Sequence, residues 1–298
     1  MITFFTTAKP FSGHNGITQR NALKSWTLLH PDVQVILFGD EDGAADVCDE
    51  LGIQHQPCIE RSHLNRRLPV ANYLFDRAHA LARHSWLCYL NCDIILTPDF
   101  CEAAHRLTQW RKSFLMVGRR WDLDINAPLD FSRPNWAADL RQEALRLGTM
   151  RMNELDYFLF AKEMYQDIPP LIIGRVFWDF WMVWKVRSVG LPVVEASPRV
   201  IVVHQNHETA YLQETSAGQG TFLDPGAEWN YRLANCGKNF GNYSDCTHRL
   251  TRSGLLLPTF WRKERDKLKA FLWKTLIHDT YWLRKRLGLR RRKHELTQ

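Results

Sequence analysis

Along the first hundred residues, apolar and polar positions alternate in blocks rather than residue by residue. Ile2 to Thr7 is a short β-prone run ending in a polar Thr-Thr-Ala-Lys-Pro turn, after which Ile17, Leu23, Trp26 and Leu29 recur at helical spacing. Val33 to Phe38 is a second apolar run, closed by Gly39-Asp40-Glu41-Asp42 and followed by a helical Ala44 to Leu51 and an extended Ile53 to Gln56. Past the basic loop Arg61 to Arg67, Val70 to Ala82 puts Leu74, Ala78 and Leu81 on one helical face, and Trp86 to Leu90 reads as a buried strand. Short apolar runs alternating with helices predict an α/β fold with a mainly parallel sheet covered on both faces. Ligands of such sheets bind beyond the carboxyl ends of the strands.

After Phe100 the rhythm changes. The pattern predicts a strand at Ser113 to Gly118, an amphipathic helix at Ala137 to Leu147, a strand at Asp156 to Ala161 and a Trp-rich helix at Val176 to Val189. Gly190-Leu191-Pro192 breaks that helix, and the β-branched runs Val193-Val194 and Val200 to Val203 lead to His204. From Gly218 to Asn242 glycine, asparagine and turn residues dominate, which predicts a long ordered loop or lid. The expected organisation is one α/β domain over 1–250, with a donor half (1–100) and an acceptor half (101–250), followed by a basic helical extension over 251–298.

Composition sharpens this picture in three places. With 298 residues, 45% of them hydrophobic, the chain can bury a full core. The net charge of +7 is not spread evenly: thirteen Lys/Arg against four acids in residues 259–298 put +9 in the tail and leave the body at −2. A slightly acidic body offers no broad basic face, so nucleic acid is not the expected partner. Seven cysteines without a CxxC pair read as reduced thiols in a cytosol, and the start Met1-Ile2-Thr3-Phe4-Phe5 lacks the pattern of a secretory signal. Between Phe260 and Leu289, Trp261, Leu268, Leu272, Trp273, Leu276, Ile277, Trp282 and Leu287 alternate with lysines and arginines. That composition suits a helix lying on an anionic membrane surface, at the inner face of the membrane, or equally a helix packed on the domain with a solvated basic face.

The segment Trp86-Leu87-Cys88-Tyr89-Leu90-Asn91-Cys92-Asp93 ends a buried strand on an acid, which needs a cation or strong donors there. It resembles the DxD motif of inverting, family-2-like GT-A glycosyltransferases, with Asp93 matching the final Asp and Asn91 replacing the first. The alternative is a strand-end Asp that caps the next turn. A second segment, Trp121-Asp122-Leu123-Asp124, matches DxD literally; its position later in the chain suits sugar or acceptor contacts by Asp122 and Asp124, or a solvated turn.

The resemblance spans roughly residues 2 to 207. It implies nucleotide contacts by Thr6, Thr7 and Lys9 after the first strand, by Asp40 after the second, and by Asn72, Asn91 and Arg67 near the diphosphate. It further implies a divalent ion, Mn²⁺ or Mg²⁺, on Asp93 and a late histidine, His204, with His207 turned to the sugar. Phe177-Trp178-Asp179-Phe180-Trp181 resembles the start of the family's acceptor helix, with Asp179 as general base and Trp178 in place of a glutamate; helix capping is the alternative for Asp179. Asp156 and Trp178 complete the expected substrate contacts. The implied activity is transfer of a sugar from a nucleotide-diphosphate sugar to a glycan or lipid-linked acceptor. A catalytically inert glycan-binding protein and a nucleotidyltransferase are the competing readings, the latter lacking the glycine-rich, Arg-containing loop expected after the first strand.

Overall fold

The computed structural model describes residues 1–151, 154–207, 224–251, 254–256 and 268. The first hundred residues follow the expected alternation: β1 (Ile2–Thr7), α1 (Gly13–Thr27), β2 (Gln34–Phe38), α2 (Ala44–Leu51), β3 (Gln54–Gln56), α3 (Ala71–Leu81) and β4 (Trp86–Leu90). Then come β5 (Ile94–Ile95), α4 (Asp99–Trp110), β6 (Leu115–Val117), β7 (Arg120–Leu123), α5 (Trp136–Leu147), β8 (Thr149–Met150) and β9 (Tyr157–Ala161). The described chain finishes with α6 (Trp178–Ser188), β10 (Val193–Glu195), β11 (Val202–Gln205), α7 (Pro225–Leu233), β12 (His248–Thr251) and β13 (Gly254–Leu256).

Nine strands form the main sheet in the order β13-β12-β10-β6-β9-β4-β1-β2-β3. Every neighbouring pair is parallel except the two that β9 makes with β4 and β6, and the edge pair β12 and β13. Successive residues of each strand go to opposite faces, and both faces are apolar. Phe4, Cys88, Leu90, Tyr157 and Leu159 pack with Ala22 and Trp26 of α1, Val47 of α2 and Phe100 of α4. Phe5, Tyr89, Phe158 and Phe160 pack on the other side with Leu74 and Phe75 of α3 and with Trp178, Trp181 and Met182 of α6. Removing one of these fully buried rings, such as Phe5, would cost about 3–5 kcal/mol.

A second sheet, β5-β11-β7-β8, lies beside the first. Its alternation explains its position. Ile95, Leu123, Ile201 and Val203 face Leu140 and Ala144 of α5, whereas Ile94 and Val202 point the other way into the main core. The residues that continue this inward face are polar: Arg120 is the register partner of Val202, and Asp122 that of His204.

Three features depart from the sequence expectation. The α1 helix begins four residues before Ile17 because its first turns bury polar rather than apolar groups; Gln19 holds the Lys9 backbone at both N–H and C=O, and Asn21 binds the Gln205 side chain. The expected loop from Gly218 to Asn242 contains α7, whose start Asp224-Pro225 is a helix signal: the Asp224 carboxylate accepts from the N–H groups of Gly226 and Ala227, and Pro225 opens the helix. Of the short strands of the second sheet, β11 follows the expected run Val200 to Val203, whereas β5 and β8 are two residues long and β7 carries Arg120 and Asp122, so their pairing is not announced. The β12–β13 hairpin carries the main sheet to Leu256. No helix among the described residues is long and apolar enough to cross a membrane; of the extension expected over 251–298, Thr251 and Gly254–Leu256 belong to the sheet, and apart from Leu268 the rest lies outside the described residues.

Candidate active site

The carboxyl ends of β1, β2 and β4 align through their parallel register, in which Phe5 pairs with Tyr89 and Thr7 with Phe38. Thr7 and Lys9 therefore follow β1 at the same edge as Gly39-Asp40 after β2 and Asn91 after β4. Thr6 is fully buried and its hydroxyl donates to the Thr7 carbonyl, so it shapes the turn rather than facing solvent. Asp40 is largely exposed and its carboxylate is bound by Arg61, which also reaches Glu41 at 2.9 Å. Asp40 and Arg61 line an open cleft with Ile59 and Tyr73. Asn72 is the second residue of α3, at the helix start as expected, and its buried Oδ1 has no hydrogen-bond partner among the described residues. Arg67 sits in the exposed loop before α3.

Past β4, the chain gathers four segments around Asp93. The β5 strand runs antiparallel to β11, so that Ile94 opposes His204 and the Gln205 N–H donates to the Asp93 carbonyl at 3.2 Å. His204 Nε2 lies 3.7 Å from Asp93 Oδ2. Beyond the strand the chain turns, pinned by Asn206, whose N–H donates to the Leu123 carbonyl and whose side-chain amide donates to Asp124 at 2.7 Å. This turn brings His207 Nε2 to 2.9 Å from the same Asp93 oxygen. One ligand atom from each of Asp93, His204 and His207 lies within 4.8 Å of the others. The other Asp93 oxygen, Oδ1, is buried without a hydrogen-bond partner among the described residues. A buried carboxylate oxygen left open beside two imidazoles fits a divalent cation, and nitrogen ligands favour Mn²⁺ over Mg²⁺. Burial by itself would raise the Asp93 pKa, but His204, His207 and Arg120 outweigh it and hold the carboxyl well below its usual range.

A chain of charge extends from this cluster. Asp122 Oδ1 lies 3.2 Å from His204 Nδ1, and Asp122 also accepts from Arg120 Nε at 2.8 Å and from Arg151 Nε. Arg120 in turn donates from Nη1 to both oxygens of Asp156, at 2.8 and 2.9 Å. Asp156 accepts from the Asn91 side-chain amide at 2.8 Å, while Asn91 Oδ1 accepts from the Tyr89 hydroxyl. Burial pushes the Asp156 carboxyl up despite Arg120. Burial works against the charged imidazole of His204, but Asp93 and Asp122 overcome it and raise its pKa. The two DxD-like segments, rivals in the sequence, thus meet in one network through His204.

Asp179 occupies the first turn of α6, next to Trp178, whose ring stands 5.0 Å from that of Tyr89. The residue before them, Phe177, has φ +85°, an uncommon conformation for a bulky side chain, and is held there by stacking on Phe240 with centroids 4.8 Å apart. Desolvation raises the Asp179 pKa to about 7, with repulsion from Asp156 adding to it and backbone N–H groups of its own turn opposing it. Its residue surface is only half-buried, while the carboxyl itself is desolvated. The sequence had no signal for Arg120 beyond its position two residues before Asp122, which in a strand means the same face.

No protein-family model matches this chain, and no curated protein matches it. Among solved structures, it is similar to glucosyl-3-phosphoglycerate synthase from Mycobacterium tuberculosis in complex with Mg²⁺ and UDP, at 16% identity over 80% of this chain and 79% of that one, with a TM-score of 0.48. The same enzyme with Mn²⁺, UDP and glucosyl-3-phosphoglycerate gives 14% identity, 80% of each chain and a TM-score of 0.47. TarS from S. aureus gives 7% identity over 80% of this chain and 71% of that one, with a TM-score of 0.45.

Proposed function

We propose that this protein is a metal-assisted glycosyltransferase that moves a sugar from a nucleotide-diphosphate sugar to a hydroxyl of a glycan or lipid-linked acceptor. The observation that bears most on this reading is the convergence of His204 Nε2 and His207 Nε2 on Asp93, whose other oxygen is buried without a partner among the described residues, at the carboxyl edge of the central strand. Asp93, His204 and His207 would hold the ion, which when bound neutralises charge on the departing diphosphate. The loops after β1 and β2, with Thr7, Lys9 and Asp40, receive the nucleoside, and Asp40 would exchange its contact with Arg61 for a ribose or base. Trp178 and the aromatic start of α6 exclude water from the acceptor. Asp179 takes the proton of the attacking hydroxyl in an inverting transfer; its pKa of about 7 suits a base that accepts a proton near neutral pH.

Two features keep the competing readings in second place. An inert glycan-binding protein needs neither an open buried carboxylate oxygen nor an acid desolvated to this degree. The tail, on its sequence, would attach the enzyme to anionic membrane. Calorimetric titration with a panel of nucleotide sugars, with and without Mn²⁺, tests the central reading: binding is expected only with the ion, and turnover that persists in excess EDTA would overturn it. NMR of the product anomer tests the stereochemistry, and retention of configuration would remove Asp179 from the role of base.

A further inference from the structure

The geometry points to Asp122 and Arg120 as a positioning pair that fixes which nitrogen His204 presents to the ion. His204 Nδ1 has Asp122 Oδ1 at 3.2 Å and, among the described residues, no partner with full hydrogen-bond geometry. Asp122 is the acceptor within reach of that nitrogen, and a small rotation of the ring aligns it. A proton on Nδ1 shared with Asp122 leaves the lone pair on Nε2, the atom that faces Asp93. Metal-ligating histidines commonly depend on such an outer carboxylate for tautomer and orientation.

Asp122 could do this only if it is itself held. It is 6% exposed, and its other contacts are to guanidinium groups: Arg120 at Oδ1 and Arg151 at Oδ2. Arg120 is two residues from Asp122 on the same face of β7 and binds both oxygens of Asp156 through Nη1. A permanent cation between two buried carboxylates keeps both from turning towards the ion, so Asp93 alone supplies the oxygen. Without Arg120, Asp122 would keep only Arg151 of its guanidinium partners and Asp156 only the Asn91 amide, and a cation could be drawn to the carboxylates so released. The sheet register makes the arrangement rigid, since Asp122 and His204 are direct partners across β7 and β11.

This inference rests on the metal reading of Asp93, and the experiment separates the two. Mn²⁺ affinity would be measured by EPR on wild type, Asp93→Ala, Asp122→Ala, Asp122→Asn and Arg120→Gln, without any substrate. Asp93→Ala is expected to abolish tight binding; unchanged binding in that variant defeats the metal reading itself. With that control in place, Asp122→Ala should weaken Mn²⁺ by about 10–100-fold. Asp122→Asn, which retains an acceptor for Nδ1–H, should recover part of the loss. Equal affinity in Asp122→Ala and wild type would overturn the positioning role while leaving the ion site standing. The second readout needs no variant: ¹⁵N-histidine spectra of metal-free wild type should show neutral His204 as the Nδ1–H tautomer. A predominant Nε2–H form would overturn the inference directly. Arg120→Gln should weaken Mn²⁺ by a similar factor, and unaltered affinity there would remove Arg120 from the pair.

Discussion

The loop after β4 and the first turn of α6 each carry a partly buried aspartate, yet their surroundings drive the two acids in opposite directions. Asp93 is surrounded by groups that want an anion: two imidazoles and, further off, Arg120. Asp179 has aromatic neighbours, the repelling charge of Asp156 and only the N–H groups of its own helical turn to offset burial. Both sites are desolvated; the difference lies in what replaces water. One environment keeps a carboxylate ionised at any physiological pH, and the other keeps a carboxyl near the midpoint of its titration. Two carboxylates separated in this way can serve distinct chemical roles on one scaffold.

The sharpest break in that comparison is Asp93→Ala. It should abolish Mn²⁺-dependent donor binding and lower turnover by more than about 10²-fold, beyond what loss of an outer partner costs; calorimetry with a nucleotide sugar checks it. Asp179→Asn should lower kcat by about 10² to 10⁴-fold while donor affinity in the presence of Mn²⁺ is unchanged. The same substitution carries a pH signature. Because the folded pKa of Asp179 is raised, the folded state holds its proton more tightly than the unfolded chain, so this group favours folding at low pH and opposes it as pH rises through about 7. Asp179→Asn should therefore raise the melting temperature at pH 8 and change it little at pH 4, and the wild-type rate should climb with pH up to about 7. Asp93 has the reverse sign: its depressed pKa contributes stability above the ordinary carboxylate range that is lost as pH falls below it.

A smaller effect is expected from His207→Ala, which would remove one of the three proposed ligands and should raise the Mn²⁺ dissociation constant by at least about 10-fold, the lower bound for loss of an outer partner, without altering acceptor KM. The mildest test is Asn230→Ala. Asn230 is fully buried and joins α7 to the segment before α6 by bonds to the Ile172 N–H and to the Ile172 and Val176 carbonyls. Its loss should destabilise the fold by about 1–3 kcal/mol in denaturant titration and leave Mn²⁺ affinity intact, which would show the two regions to be separable.

How much of this was legible depends on which physical signal each part emits. Strands β1, β2 and β4 are continuous apolar runs because both faces are covered, and Ala44–Leu51 was readable to the residue. The strand-end Asp93 and the late His204 follow from the same patterning. His207, expected at the sugar, follows the turn pinned by Asn206 and comes within 2.9 Å of Asp93, a placement that no spacing along the chain reveals. Asp122 and Asp124 looked like a rival to Asp93, and nothing in the sequence reveals that β7 and β11 are register partners. Arg120 emits no motif at all. Its importance comes from pairing across the sheet, a property of the assembled structure and not of any window of residues. The missed helix α7 is a different failure: glycine and asparagine masked an Asp-Pro start that was present in the text.

The segment that ends in His207 returns to Asp93 from 114 residues away along the chain. An ion held there would act as a clasp on a very long covalent loop, joining the end of β4 to the segment that follows β11. Clasping of this kind favours the folded state by mass action, about 2.7 kcal/mol when free ion stands at a hundred times its dissociation constant. The concentration of ion in the surroundings would then govern how long the molecule survives proteolysis as well as how fast it turns over, and an ion-starved cell would lose the protein along with its activity.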